Sequence, residues 1–200
     1  MDKRLEILGK ETVYQGFFRL DRYRLRHSLF GGGESKVLVR ELFERGHAVG
    51  VLPYDPVRDE VVLVEQFRVG ALEEPDGPWL LEIVAGMIEP GEQPQEVAHR
   101  EAAEEAGCVL QELVPVARYY SSPGGSSERV TVFCARVSTE GLGGIHGEPS
   151  EGEDIRVVVL PFAEAFALVE NGRIKAALPI IALQWLALNR ERLRREWGGG

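Results

Sequence analysis

The chain has 200 residues, 44% of them apolar and 28% charged, enough for one domain with a full core or for one domain with a small appendage. Its formal charge of −9 opposes non-specific binding to nucleic acid or anionic membrane, so neither is an expected partner. Cys108 and Cys134 show no disulfide or zinc spacing, residues 1–12 lack a signal-type apolar run, and Pro179 and Gln184 interrupt the apolar stretch at 176–188; a cytoplasmic location is expected.

In chain order, the first 45 or so residues read as β-rich. Apolar and charged residues alternate over 17–29, Gly31, Gly32 and Gly33 supply a turn, and alternation resumes over 36–43, which predicts a hairpin. A second hairpin is predicted from strands 47–53 and 60–67 around Asp55-Pro56-Val57-Arg58-Asp59. The apolar run 80–85 ends at Gly86. A helix follows, with Pro94 at its first position, no breaker through Ala106, and Gly107 as its stop. Strands at 114–120 and 130–137 flank the loop 121–128. A long acidic, Gly-rich loop at 141–154 leads to a strand at 155–160, and helices are expected over about 162–171 and 176–197. The pattern is α+β: a mixed β-sheet flanked by helices, with a β-rich segment at 1–45 ahead of a main domain at 46–200.

The predicted helix 94–106 carries an anomaly. At about 100° per residue, Glu101, Glu104 and Glu105 share an arc of about 100°. Like charges at these spacings repel, and carboxylates near a helix C-terminus oppose its dipole. Oxygen ligation of a hard divalent cation reverses the sign of both effects. The competing interpretation is a solvated acidic face with Arg100 paired to Glu104. Ala98, Ala102 and Ala106 form a small-residue stripe that lets the helix lie close to a sheet. The four histidines are scattered, so a histidine metal site is not expected, and no Ser-His-Asp or Cys-His arrangement is evident.

The surrounding residues, Gly86-x5-Glu92-x7-Arg100-Glu101-Ala102-Ala103-Glu104-Glu105-Ala106-Gly107-Cys108, resemble the signature of the Nudix hydrolases. Ala102 and Cys108 stand where that family usually has larger aliphatics. The resemblance implies a Nudix fold and makes Glu101, Glu104, Glu105 and the Ala85 carbonyl ligands for Mg2+, with Mn2+ or Zn2+ as substitutes. It makes Arg100 and Glu92 an internal ion pair, and Gly86 and Gly107 structural residues of the box.

Further segments resemble the ADP-ribose pyrophosphatases within that family: Tyr14-Gln15-Gly16-Phe17-Phe18, the stretch 40–48, Glu65-Gln66-Phe67-Arg68, the loop 122–128, Gly144-Ile145-His146-Gly147 with Glu153-Asp154-Ile155-Arg156, and 181–186. That likeness implies a homodimer whose β-rich segment helps build the partner's site. It implies hydrolysis of ADP-ribose to AMP and ribose 5-phosphate. Phe17 would stack on adenine, Arg40 and Arg68 would contact phosphate or ribose, and Glu128 would be a polar substrate contact. Competing roles are core packing for Phe17 and ion pairing with Glu41 for Arg40. On the loop 141–154, Glu151 is the leading general-base candidate and Glu153 a metal-linked second; Glu105 is counted with them as catalytic. The alternatives are another nucleoside diphosphate sugar such as GDP-mannose, or a non-catalytic ADP-ribose-binding module, against which the retained box glutamates speak.

Overall fold

The computed structural model describes residues 3–198, apart from the side chain of Glu151. The chain forms two compact units. One is the chain up to His47 with Tyr119–Val130; the other is Ala48–Arg118 with the chain from Thr131 onward.

The first unit holds an antiparallel sheet of three strands, β1 (Leu5–Gln15), β2 (Arg19–His27) and β3 (Leu38–Glu44), in that order. The expected hairpin is therefore only two-thirds of the sheet. β1 pairs along β2 from Leu5 opposite His27 to Gln15 opposite Arg19. The alternation that betrays a half-buried strand is uninformative here, because Leu5, Ile7, Val13 and Tyr14 are exposed. Cross-strand charge pairing marks the register instead. Glu11, Arg22 and Glu41 stand opposite one another on the three strands, and Arg22 reaches Glu11 at 3.2 Å and Glu41 at 3.0 Å. Each such exposed pair contributes about 0–1 kcal/mol. Beneath them Asp21 is fully buried and fully partnered, by Lys10 at 2.9 Å, Arg19 at 3.1 Å and the Thr12 hydroxyl at 2.8 Å. The loop 121–128 is pinned in the same unit: Phe43 N–H donates to the Gly125 carbonyl at 2.8 Å, and Ser127 bonds Glu44.

The second unit is built on a mixed sheet. Its strands are β4 (Ala48–Asp55), β5 (Glu60–Phe67), β6 (Trp79–Glu82), β7 (Val84–Met87), β8 (Leu113–Tyr120), β9 (Arg129–Arg136), β10 (Gly144–His146) and β11 (Ile155–Pro161). The order is β10-β11-β5-β4-β9-β8, with β6 added on β5 and β7 on β4. The helices are α1 (Pro94–Ala106), α2 (Phe162–Glu170) and α3 (Ala177–Trp197). This is the α+β class expected from the sequence.

Two boundaries differ from expectation. The run 80–85 is two strands, because the chain leaves β5 and joins β4 at the fully buried Ile83; Gly86 then lies inside β7, opposite Val49, rather than in a turn. The loop 141–154 contains β10, paired on β11, and a short 3-10 turn at Pro149–Glu151.

α1 starts with Pro94 and a capping box in which Gln93 N–H donates to Glu96 at 2.9 Å, and it ends at Gly107 with φ of 61°. Its buried face, Val97, Ala98, Ala102 and Ala106, meets Val49, Val51, Val62, Val64, Val84 and Ile155 of the sheet. Alanine gives up volume but brings the helix axis near the strands, which is what places acidic side chains from its flank close to backbone. Gly50, between Val49 and Val51, points the other way: a Cβ there would meet Leu178 of α3 at 2.7 Å. The sheet is thus sandwiched between α1 and α3. Asp59, held at φ of 59°, fastens α3 by accepting from Arg190 Nε at 2.6 Å and from the Tyr54 hydroxyl at 2.8 Å.

Candidate active site

The three box glutamates lie at three depths. Glu105 is 2% exposed, Glu101 is half-buried, and Glu104 is exposed. One Glu105 oxygen accepts the Ala85 N–H of β7 at 3.0 Å, and the other faces the Gln66 amide of β5 at 3.4 Å. Burial pushes the Glu105 carboxyl up to about 8; the Ala85 N–H opposes the rise, Glu101 adds to it, Arg68 opposes it and Glu153 adds to it. Burial also raises Glu101, against Arg100, with Glu104 and Glu153 adding to the rise. Glu101, Glu104, Glu105 and Glu153 therefore act within one electrostatic field, although Glu153 comes from the far loop.

Arg100 is the cation that balances this cluster. It contacts Glu101 at 2.8 Å, Glu104 at 3.1 Å and Glu92 at 3.2 Å. Both interpretations of Arg100 in the sequence are thus realised at once, the helix-face pair and the link to the preceding loop. Glu92 is in turn fixed by the Glu89 N–H at 2.8 Å; that bond and Arg100 hold its carboxyl below the usual range.

Gly86 is required by contact rather than by backbone conformation. A Cβ on it would fall inside the Glu101 carboxyl group. Because the obstructed group is the end of a flexible side chain, Gly86→Ala is expected to fold with a nearly unchanged Tm while swinging Glu101 away. Activity should fall on the order of 10²-fold, the effect of an ångström-scale misplacement. Steady-state kinetics beside a thermal melt check this; full activity would show that the Glu101 position is immaterial.

The loop after β10 is tied to α1 and then closed on itself. Gly147 N–H donates to the Glu104 carbonyl at 3.3 Å. Glu148 N–H donates to the Glu153 carboxylate at 3.1 Å, and Glu153 N–H returns to the Glu148 carbonyl at 3.3 Å. The Glu148 carboxylate caps the 3-10 turn, accepting from Ser150 N–H at 3.0 Å and its hydroxyl at 2.7 Å. Glu151 closes that turn in backbone; its side chain lies outside the described residues.

The expected substrate contacts divide between the units. Phe17, Arg40 and Glu128 belong to the first. Phe17 is 87% exposed, touching Phe18 edge-on, so it is not a core residue. Arg40 donates to the Val39 carbonyl at 2.8 Å, and Glu41 is taken by Arg22 instead. Glu128 is nearly buried, with Arg45 Nε at 3.2 Å. Arg68 belongs to the second unit, with the box, and donates to Glu82 at 2.6 Å. Gln66 and Arg45, in segments that carry the family resemblance, and Glu82 also take part, although the sequence assigns none of them a role. Gln66 carries one signal, as a polar residue that follows Val62 and Val64 at every second position on the same strand face.

The acidic side chains and nearby backbone offer oxygen donors alone, which suit a hard divalent cation. Among the described residues no three acidic, histidine or cysteine side chains converge as a formed cage in this arrangement, in which Arg100 engages Glu101 and Glu104.

A strand–loop–helix box with a buried glutamate on an alanine-faced helix defines a class. The family model described as the NUDIX domain matches residues 44–181, and the chain belongs to that family. Among its relatives is an ADP-ribose pyrophosphatase of Escherichia coli, 52% identical over 193 residues, which cover 96% of this chain and 92% of that protein. A GDP-mannose pyrophosphatase of Yersinia enterocolitica is 32% identical over 196 residues, covering 94% and 98%. The crystal structure of an ADP compounds hydrolase superposes with a TM-score of 0.69 at 26% identity, covering 97% of this chain and 96% of that one.

Proposed function

We propose that this protein hydrolyses ADP-ribose to AMP and ribose 5-phosphate in a reaction that needs a divalent cation, Mg2+ first, with Mn2+ or Zn2+ as substitutes. Glu105 is the observation that carries the chemistry. A carboxylate kept buried beside Glu101 and Glu153 is unfavourable by itself and becomes favourable beside a cation. The choice of ADP-ribose over GDP-mannose is supported by the higher identity to the relative named for it.

Glu101, Glu104, Glu105, Glu153 and the Ala85 carbonyl are the residues that would hold the cation. Bound there, it supplies neutralisation of diphosphate charge and a more acidic attacking water. The same local positive charge offsets the −9 of the whole chain toward an anionic substrate. Arg100 hands over Glu101 and Glu104 and keeps Glu92, so the loop before α1 stays in register. Arg68 is already oriented by Glu82 and can turn its free guanidinium nitrogens to a phosphate oxygen. Glu151 takes the proton of the attacking water. Phe17 offers a solvent-facing ring for a purine, while Arg40 and Glu128 complete the contacts.

The test is product formation across ADP-ribose, ADP-glucose and GDP-mannose, with Mg2+ and with EDTA. ADP-ribose should give the highest kcat/KM, and EDTA should abolish turnover. Preference for GDP-mannose, or turnover indifferent to EDTA, would overturn the reading.

The proposal includes a homodimer acting in the cytoplasm. Exposed Leu5 and Ile7 on β1, with exposed Phe17 in the turn that follows it, support the assembly, and two free, buried cysteines suit a reducing compartment. If the first unit serves the partner's site, mixing Arg40→Ala subunits with Glu105→Gln subunits should restore part of the activity. A monomer by sedimentation at micromolar concentration, or no restoration, would count against it.

A further inference from the structure

β5 sends Val62 and Val64 into the apolar cluster under α1. With period two along a strand, Gln66 is next in that row, and it is buried as they are. Packing alone would place a third aliphatic side chain there. A buried amide is disfavoured unless its polar atoms are partnered. Its Nε2 faces Glu105 Oε1 at 3.4 Å, and Glu105 is the one carboxylate among the buried residues of α1. Ionised, as it must be to hold a cation, this carboxylate only accepts, which turns the NH2 end of the amide toward it. The other oxygen, Oε2, takes the Ala85 N–H of β7 at 3.0 Å. Donors from two strands thus bracket the two oxygens of one side chain. The first is backbone and comes with the sheet; the second depends on residue 66 being glutamine.

We propose that Gln66 is a positioning residue of the cation site, its amide setting the orientation in which Glu105 meets the cation. This rests on Glu105 being a cation ligand. It assigns to an uncharged side chain, one that does not ligate, a share of the affinity for the ion.

The experiment is binding of Mn2+ alone to the full chain, read from the electron paramagnetic resonance of free Mn2+, with no nucleotide present. Gln66→Met keeps length and volume and removes the donor; it should weaken Mn2+ binding by about 10–100-fold, as loss of a group that orients a ligand typically does. Gln66→Asn withdraws the amide by one methylene and should also weaken binding, which keeps the test alive if the Met variant does not fold. Val64→Ala disturbs the same row but removes no hydrogen-bonding group, and should lower the Tm while leaving Mn2+ affinity unchanged. Wild-type affinity in the folded Gln66 variants, or an equal loss in Val64→Ala, would overturn the inference. Glu105→Gln run alongside separates the two failures. If it loses Mn2+ while the Gln66 variants keep it, only the positioning role falls; if it also binds as wild type, the cation site itself is misread and the inference falls with it.

Discussion

Replacing Glu151 by glutamine is expected to lower kcat by about 10²–10⁴-fold with little change in KM, the usual contribution of a general base. The neighbouring carboxylates are otherwise engaged. Glu148 caps the 3-10 turn through Ser150, and Glu153 closes the loop by accepting the Glu148 N–H. Glu105 and Glu101 are drawn down against the sheet by their place on α1. Glu151 precedes Gly152, which adopts φ of 74° and lets the chain reverse immediately after the turn. Glu153→Gln should show a smaller loss, partly rescued by added Mg2+. Single-turnover rates for the two variants check this. If they exchange behaviours, the base is Glu153; if neither loses as much as about tenfold, below the range for such catalysis, the exposed Glu104 is next.

Glu105→Gln is expected to lose activity by about 10³-fold, since a contribution of several kcal/mol from a bound cation converts at about 1.4 kcal/mol per factor of ten. The same substitution should stabilise the cation-free protein at alkaline pH. The folded carboxyl, at about 8, sits above the ordinary value of 4.5. Between those values the folded state holds a proton that the unfolded state releases, so stability falls as pH rises. That contribution is fully present below 4.5 and is lost as pH passes about 8. Glutamine has no charge to bury, and its oxygen can still accept the Ala85 N–H. In EDTA at pH well above 8 the variant should therefore melt higher than wild type, by on the order of a few kcal/mol or roughly 5–10 °C, and the two should converge toward pH 4. Melts across that range in EDTA are the measurement. A variant less stable at every pH would show that Glu105 is held mainly by its hydrogen bonds, not strained by burial.

Local signals explain most of what was legible in the sequence. Pro94, Gly107 and the unbroken stretch between them define α1 without reference to anything distant, and the box spacing singles out Glu101, Glu104 and Glu105. Even their order of depth is implied by the helix: at about 100° per residue Glu105 falls about 20° from Ala98, Glu101 about 60° and Glu104 about 120°. The alanine stripe faces the sheet, so burial follows that order. What escaped reading depends on partners far along the chain. β1 has no buried face to impose a period, and exists through its ladder with β2 and its cross-strand charges. The switch from β5 to β4 at Ile83 leaves no mark in an apolar run. Gln66 reads as an ordinary polar residue near a strand end until the opposing helix is in place.

Helix ends of the α1 type ordinarily tolerate either glycine or asparagine, the two residues that enter the left-handed region most readily. That freedom is narrowed at Gly107. Any Cβ there would meet the His146 ring at 2.9 Å, and His146 directly precedes the Gly147 that bonds the last turn of the helix. A change harmless to the helix in isolation would press on the base of the acidic loop, so the position has less room to drift than its backbone angle alone requires. Substitutions at 107 and 146 are therefore coupled: a smaller side chain at 146 is what would first make room for asparagine at 107.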